Sequence, residues 1–202
     1  MATRNFKTSS IKNGITVGGR TTFWDQISVI PSSSFESIQS TTLSTTTASI
    51  SFTSIPATYT HLQIRGIGKS TRNAAYDNIK IQFNGDTATG NYTSHYIQGD
   101  RTNVSLAQYP QNIASAGTGN LLADDATNAS NFGSFVIDIL DYKNTNKYKT
   151  TRALGGSTAT GVVGLSSGLW NSSSAITSIV IGALSGNLKT YTSIALYGIK
   201  VA

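Results

Sequence analysis

The chain predicts an all-β fold: a two-sheet antiparallel sandwich, jelly-roll-like, behind an extended N-terminal arm. Three observations predict it. Apolar and polar residues alternate in strand-length runs such as Phe135-Val136-Ile137-Asp138-Ile139-Leu140, Ala175 to Gly182 and Tyr191 to Ile199, the pattern of strands with one buried face. Clusters of Gly, Asn, Ser and Asp separate these runs, as turns do. About ten such runs can be read with no convincing helix and no repeat period, which favours a sandwich over a solenoid or propeller. A plain immunoglobulin-like sandwich is the alternative arrangement; the chain lacks the Cys-Trp-Cys pattern of that family, as many such sandwiches do.

Residues 1–34 read as the arm and 35–202 as the body. In Ile11-Lys12-Asn13-Gly14-Ile15-Thr16-Val17, Asn-Gly between β-prone pieces is a hairpin signal. A lone hairpin needs a surface to lie on. Phe23 and Trp24 follow as two large aromatics, either plugged into the chain's own body or anchored on a neighbour. Ser32-Ser33-Ser34 after Pro31 reads as the hinge.

The body then runs through Phe35 to Leu43 and Ala48 to Ile55, divided by Ser44-Thr45-Thr46-Thr47. After a turn at Pro56 to Tyr59 comes His61 to Ile67, with Leu62, Ile64 and Ile67 expected to face inward. Ile79 to Phe83 alternates and ends in the turn Asn84-Gly85-Asp86; Tyr92 to Gln98 is the next strand. Val104 to Tyr109 is a candidate strand, and Ala123 to Asn131 reads as a long loop, of the sort usually functional or contact-forming. Phe132 to Tyr142, Lys147 to Leu154, Val162 to Trp170 and the two C-terminal runs complete the body.

With 202 residues, the chain is long enough to bury a core without staples. It has no cysteine, which excludes disulfides, thiolate metal sites and a cysteine nucleophile. Charged residues make up only 12%, about half the usual share. The surface is instead rich in Ser and Thr, suited to packing against neighbours or to touching sugars. The net charge of +6 is uneven: Arg4, Lys7, Lys12 and Arg20 precede the first acid, Asp25. A basic arm on a nearly neutral body fits an acidic partner, against the plainer reading of a solvated tail. Extended, some 24 residues reach on the order of 80 Å, enough to cross to another subunit. No run approaches the ~20 apolar residues of a membrane span, and no apolar stretch follows the leading basic residues as in a secretory signal. The Asn-x-Ser/Thr sites at Asn91, Asn103, Asn128 and Asn171 then read as accidents of composition.

Nothing in the chain is arranged as a reactive centre. His61 and His95 have no acid within two residues; Asp124-Asp125 lacks the spacing of a calcium loop; there is no nucleophile elbow, phosphate loop or dinucleotide fingerprint. No enzyme activity, metal or cofactor is therefore expected. Lys143, Lys147, Lys149 and Arg152 cluster around Asn144-Thr145-Asn146 with Tyr142 and Tyr148 beside them. No nucleic-acid motif accompanies them, so a solvated hairpin tip or a contact to an acidic surface is the preferred reading, with no direct nucleic-acid partner. Trp170, followed by Asn171, reads first as a ring closing the end of the core and second as a platform for a sugar.

Several segments carry a resemblance. Ser49-Ile50-Ser51-Phe52-Thr53-Ser54-Ile55-Pro56, Tyr59-Thr60-His61-Leu62-Gln63-Ile64-Arg65-Gly66, Phe83-Asn84-Gly85-Asp86, Ile139-Leu140-Asp141-Tyr142 and Leu196-Tyr197-Gly198-Ile199 resemble segments of tailed-bacteriophage virion proteins, notably of phages infecting cyanobacteria. Ile11 to Val17 is similar to the lysine-asparagine-glycine openings of phage structural and fibre proteins. The resemblance implies a structural role in the particle without choosing capsid or tail. The expectation is a decoration (cement) protein on the outer capsid surface, with a homotrimer as its candidate assembly. Its arm would bind the major capsid protein through Arg4, Lys7, Lys12, Arg20, Phe23 and Trp24, beside neighbouring copies of itself. The alternative is a tail fibre module that recognises host polysaccharide with Trp170 and Asn171.

Overall fold

The computed structural model describes residues 15–17, 20–22, 34–74, 76–109, 115–116, 122–123, 130–157 and 161–200. The chain divides into two compact units, Met1–Ser33 and Ser34–Ala202. In the first, β1 (Ile15–Val17) pairs antiparallel with β2 (Arg20–Thr22), Val17 opposite Arg20. The predicted Asn13-Gly14 turn lies outside the described residues.

The second unit holds β3 (Phe35–Thr42), β4 (Ser49–Phe52), β5 (His61–Gly68), β6 (Ile79–Phe83), β7 (Tyr92–Gly99) and β8 (Val104–Tyr109). It continues with β9 (Gly133–Leu140), β10 (Lys149–Ser157), β11 (Val162–Trp170), β12 (Ile179–Ala183) and β13 (Ser193–Ile199). Eight strands form one antiparallel sheet in the order β3-β13-β5-β9-β10-β11-β7-β8, and three form the other, β4-β12-β6. This is the two-sheet antiparallel sandwich that the alternation predicts, with very unequal sheets.

The core follows from period two. On the small sheet Ile181 sits between Ile50 and Ile81, and Ile179 between Phe52 and Phe83. On β5, β9 and β13 of the large sheet the buried hydrophobic positions are Leu62 and Ile64, then Phe135, Ile137 and Ile139, then Ile194 and Leu196. The same parity turns Ile67 outward, 47% exposed, against the inward placement its hydrophobicity suggests. The inward place beside it belongs to Gly66, onto which the Phe135 ring packs too closely for any Cβ. The Tyr59 ring lies on Gly198 in the same way. The turn after β6 is as predicted. Asn84 and Gly85 have φ of 52° and 71°, and the Asp86 N–H donates to the Phe83 carbonyl at 2.9 Å, the signature of a type I′ turn.

Three strands cannot cover eight. Beneath the middle of β10, β11 and β7 the inward positions are small or polar: Thr151, Ala153, Gly155, Gly164, Ser166, Gly168 and Ser94, with Tyr92 and Trp170 buried only at the strand ends. Buried pieces of the 100–131 stretch pack there instead. Ala116 donates its N–H to the Ile81 carbonyl and accepts from the Thr151 hydroxyl, while the Ser115 hydroxyl accepts from the Ile81 N–H. Leu122 bridges to Asp77, and Ala123 to Lys69.

Asp77 is fully buried; its Oδ1 accepts from the N–H groups of Asn78 and Ser185 at 2.8 and 3.3 Å. Burial raises its pKa above the usual carboxyl value, against the lowering contacts of Ser70 and Arg72. The native state thus holds this proton more tightly than the unfolded chain. Stability from Asp77 is complete below the unfolded pKa of about 3.9 and is lost as pH rises through the higher folded value. Asp77→Asn should therefore gain on the parent as pH rises from about 4 to 7, read as the difference in denaturation midpoints.

Candidate contact surface

The large sheet has a second face, and on β10 and β11 the usual assignment of side chains is inverted. Leu154 (55% exposed), Val163 (57%) and Leu165 (46%) point outward while Ser, Thr, Ala and Gly alternate with them on the buried side. The register aligns the outward residues. Leu106 of β8 is opposite Ile97 of β7, Ile97 opposite Leu165 of β11, Leu165 opposite Leu154 of β10, and Leu154 opposite Val136 of β9. One apolar row thus crosses five adjacent strands.

The next row is Val104, Gly99, Val163, Gly156 and Ser134, where valines alternate with glycines. Two adjoining depressions follow from that relief, and a third lies on the other side of the apolar row. One of 550 Å³ lies among Val136, Leu154, Gly156 and Val163. One of 260 Å³ lies among Ile97, Gly99, Val104 and Val163. The third, of 300 Å³, lies among Ile97, Leu106, Leu165 and His95. Side chains over glycines give a surface of ridges and holes, the relief a packed partner needs.

On the other flank runs a polar row: Gln108, His95, Ser167, Arg152, Asp138 and Gln63. Its charges are paired within the sheet. Arg152 donates to Asp138 Oδ2 at 2.9 Å, Gln63 donates to Asp138 Oδ1 at 2.7 Å, and Arg65 donates to Gln63 at 2.7 Å. Arg65 also lies over the Phe35 and Tyr197 rings, which stack at 4.8 Å. Such a network orients the face but leaves little net field to attract a charged ligand.

The sequence-predicted residues fall elsewhere. Arg4, Lys7, Lys12, Phe23 and Trp24 lie outside the described residues, and Arg20 begins β2. Trp170 is 3% exposed; its Nε1 donates to Asp86 Oδ2 at 2.7 Å, and its ring is 5.5 Å from Phe83 and 6.5 Å from Tyr92. The ring closes the end of the core and offers no open face to a sugar, although Asn171 beside it is exposed.

The basic cluster after β9 is dispersed. Lys149 is buried, Lys147 pairs with Asp141, Lys143 reaches the Ala57 carbonyl at 3.1 Å, and Arg152 belongs to the outer face. Lys147 holds the Asp141 carboxyl below its usual pKa, with smaller help from His61 and Lys149. His61 Nδ1 accepts the Asp141 N–H at 2.9 Å, and Asp124 and Asp125 lie outside the described residues. Among the described residues no three His, Asp or Glu side chains converge as a metal site.

Sequence reasoning missed the outer face. Its signal was present in Thr151-Arg152-Ala153-Leu154-Gly155-Gly156-Ser157 and Val162-Val163-Gly164-Leu165-Ser166-Ser167-Gly168-Leu169-Trp170. From Thr151 to Ser157 and from Val163 to Gly168 small residues hold the inward parity, while Leu154, Val163 and Leu165 stand on the other. Comparison with family models, curated proteins and solved structures returns no match.

Proposed function

We propose that the protein works by contact, as a structural component of a tailed-phage particle. In this reading it is a decoration protein on the outer capsid surface that ties the shell together by binding the major capsid protein. The observation that carries the reading is the apolar outer face of the large sheet. A sandwich that turns small residues inward and Leu154, Val163 and Leu165 outward has spent hydrophobic area on a partner, since contiguous apolar patches of this size mark interaction surfaces. The resemblance to virion proteins supports the particle as the setting.

The leading segment supplies the grip in this reading. Arg4, Lys7, Lys12 and Arg20 complement an acidic shell surface, and Phe23 and Trp24 serve as apolar anchors. Each contact is weak, and many copies on one shell sum by multivalency. Deletion of residues 1–24 should strip the protein from shells, read as copies bound per particle; full occupancy by the truncated chain overturns the arm's role.

A further inference from the structure

We propose that the outer face of the large sheet is where a second copy of this chain docks, face to face across a twofold axis. This deepens the reading of that face as a contact surface by naming its occupant. Three observations select a second copy.

The first is shape. The row Leu106, Ile97, Leu165, Leu154, Val136 and the valine–glycine row beside it present ridges and holes on one face of the sheet. Two such faces can interdigitate as the inner faces of a sandwich do, about 10 Å apart, and a twofold interface uses the same patch on both subunits.

The second is charge. Arg152 is paired with Asp138, and Arg65 lies over aromatic rings. The row from Leu106 to Val136 and the valine–glycine row beside it therefore carry no charge that would repel a second copy or select an acidic or basic stranger, while Arg65, opposite Val136, keeps its cation at the margin.

The third is area. Five strands about 4.8 Å apart and about eight residues long make a face on the order of 600 Å². Two copies would bury on the order of 1,200 Å², the lower end of a stable specific interface.

The two long edges of the sheet behave differently. Edge strand β3 carries Glu36, paired with Lys200 at 2.9 Å, and a bulge opposite Leu196 and Tyr197, the devices that discourage strand addition. Edge strand β8 carries Val104 and Leu106 at 76% and 79% exposure with no charged residue. Among the described residues this edge carries no such device, and it adjoins the apolar row, where a second copy laid over the face would shield it.

The test is sedimentation of the full chain over a concentration series. The parent should sediment at twice the 21.3 kDa chain mass. Leu165→Glu, at the centre of the row, should raise the dimer dissociation constant by about tenfold or more while keeping the parent's melting midpoint. Leu106→Glu, at the exposed edge, is the second variant should the first fold poorly. Ser51→Glu, exposed on the small sheet, should leave the dimer intact. A monomeric parent, or a dimer that survives both row variants, overturns the proposal. If the parent is monomeric and Leu165→Glu instead loses binding to shells, the face takes a shell protein: self-docking fails while the decoration reading stands. If the dimer forms but the parent does not bind shells, the decoration reading fails alone.

Discussion

Trp170→Ala should lower the unfolding free energy by about 4 kcal/mol, the range for removing a fully packed aromatic from a core. The indole occupies the closed end of the sandwich, tilted at 53° to Phe83 and nearly parallel to Tyr92. Its loss also removes the N–H that reaches Asp86 Oδ2 at 2.7 Å. Asp86 organises the turn after β6: Oδ2 also accepts from Asn91, Oδ1 accepts from the Ala88 N–H, and the Asp86 carbonyl accepts from the Tyr92 hydroxyl. Burial pushes the Tyr92 hydroxyl up to about 12, so it remains a donor across the working range.

Trp170→Phe separates the two contributions. It keeps an aromatic ring in the core and deletes the bond to the carboxylate, an expected loss of about 2 kcal/mol. The indole bond is the main reason the Asp86 carboxyl sits below its ordinary pKa; Asn91 and Ala88 add to it, and burial opposes. A depressed folded pKa means that this stabilisation is present above the unfolded carboxyl value and is lost as pH falls through the folded one. The gap between parent and Trp170→Phe should narrow in acid, and the Asp86 carboxyl of the variant should titrate closer to a free aspartate by NMR. Equal gaps at neutral and acidic pH would show that the bond to Asp86 contributes nothing. A binding defect in Trp170→Ala would report a loosened core, so probes of contact belong on exposed residues such as Leu165.

The alternation of Ile79 to Phe83 declared the sandwich because its hydrophobic side chains face the core while Lys80 and Gln82 face away, and Gly133 to Leu140 buries Phe135, Ile137 and Ile139 on one parity. The Asn84-Gly85 turn was equally legible, since few residue pairs accept two consecutive positive φ angles. The outer face was not. Burial follows position in the fold as well as hydrophobicity: Leu154 and Leu165 belong to strands that the three-stranded sheet does not cover, and nothing local tells a strand how wide the opposing sheet is. Ile67 shows the same effect within one strand, where two-residue parity and the Phe135 ring over Gly66 outweigh the preference of a single side chain. Trp170 was readable as a large ring at a strand end, but its partner Asp86 is 84 residues away, and only the fold brings the two together.

Lys149 was the least legible residue of all, and its replacement carries the other large effect. In sequence it is one of four cations around a hairpin tip; in the structure it is 0% exposed. Its ammonium donates to the carbonyls of Asn144 at 2.6 Å, Lys147 at 2.9 Å and Ser173 at 3.0 Å. A lysine ammonium has three N–H donors, and the three carbonyls account for them. Two of the carbonyls come from the β9–β10 connection and one from the segment after β11, so a single cation ties two connections together.

Lys149→Met should cost about 3 kcal/mol, because the stem volume is kept while three carbonyls lose a charged donor and only those near solvent regain water. Lys149→Arg should not rescue it, since a planar guanidinium cannot match a pyramidal set of acceptors. Burial pushes the Lys149 pKa below the usual lysine value, opposed by nearby Asp141 and assisted by Lys147. The native state therefore releases this proton before the unfolded chain does. Parent stability should rise with pH through the folded pKa toward the ordinary lysine value, and the gap to Lys149→Met should widen there. Hydrogen exchange gives the local readout: the Ile176 N–H, which donates to the Tyr142 carbonyl at 2.9 Å across the same two connections, should lose protection first. An unchanged melting midpoint together with unchanged exchange at Ile176 would mean that the ammonium is hydrated in solution and ties nothing.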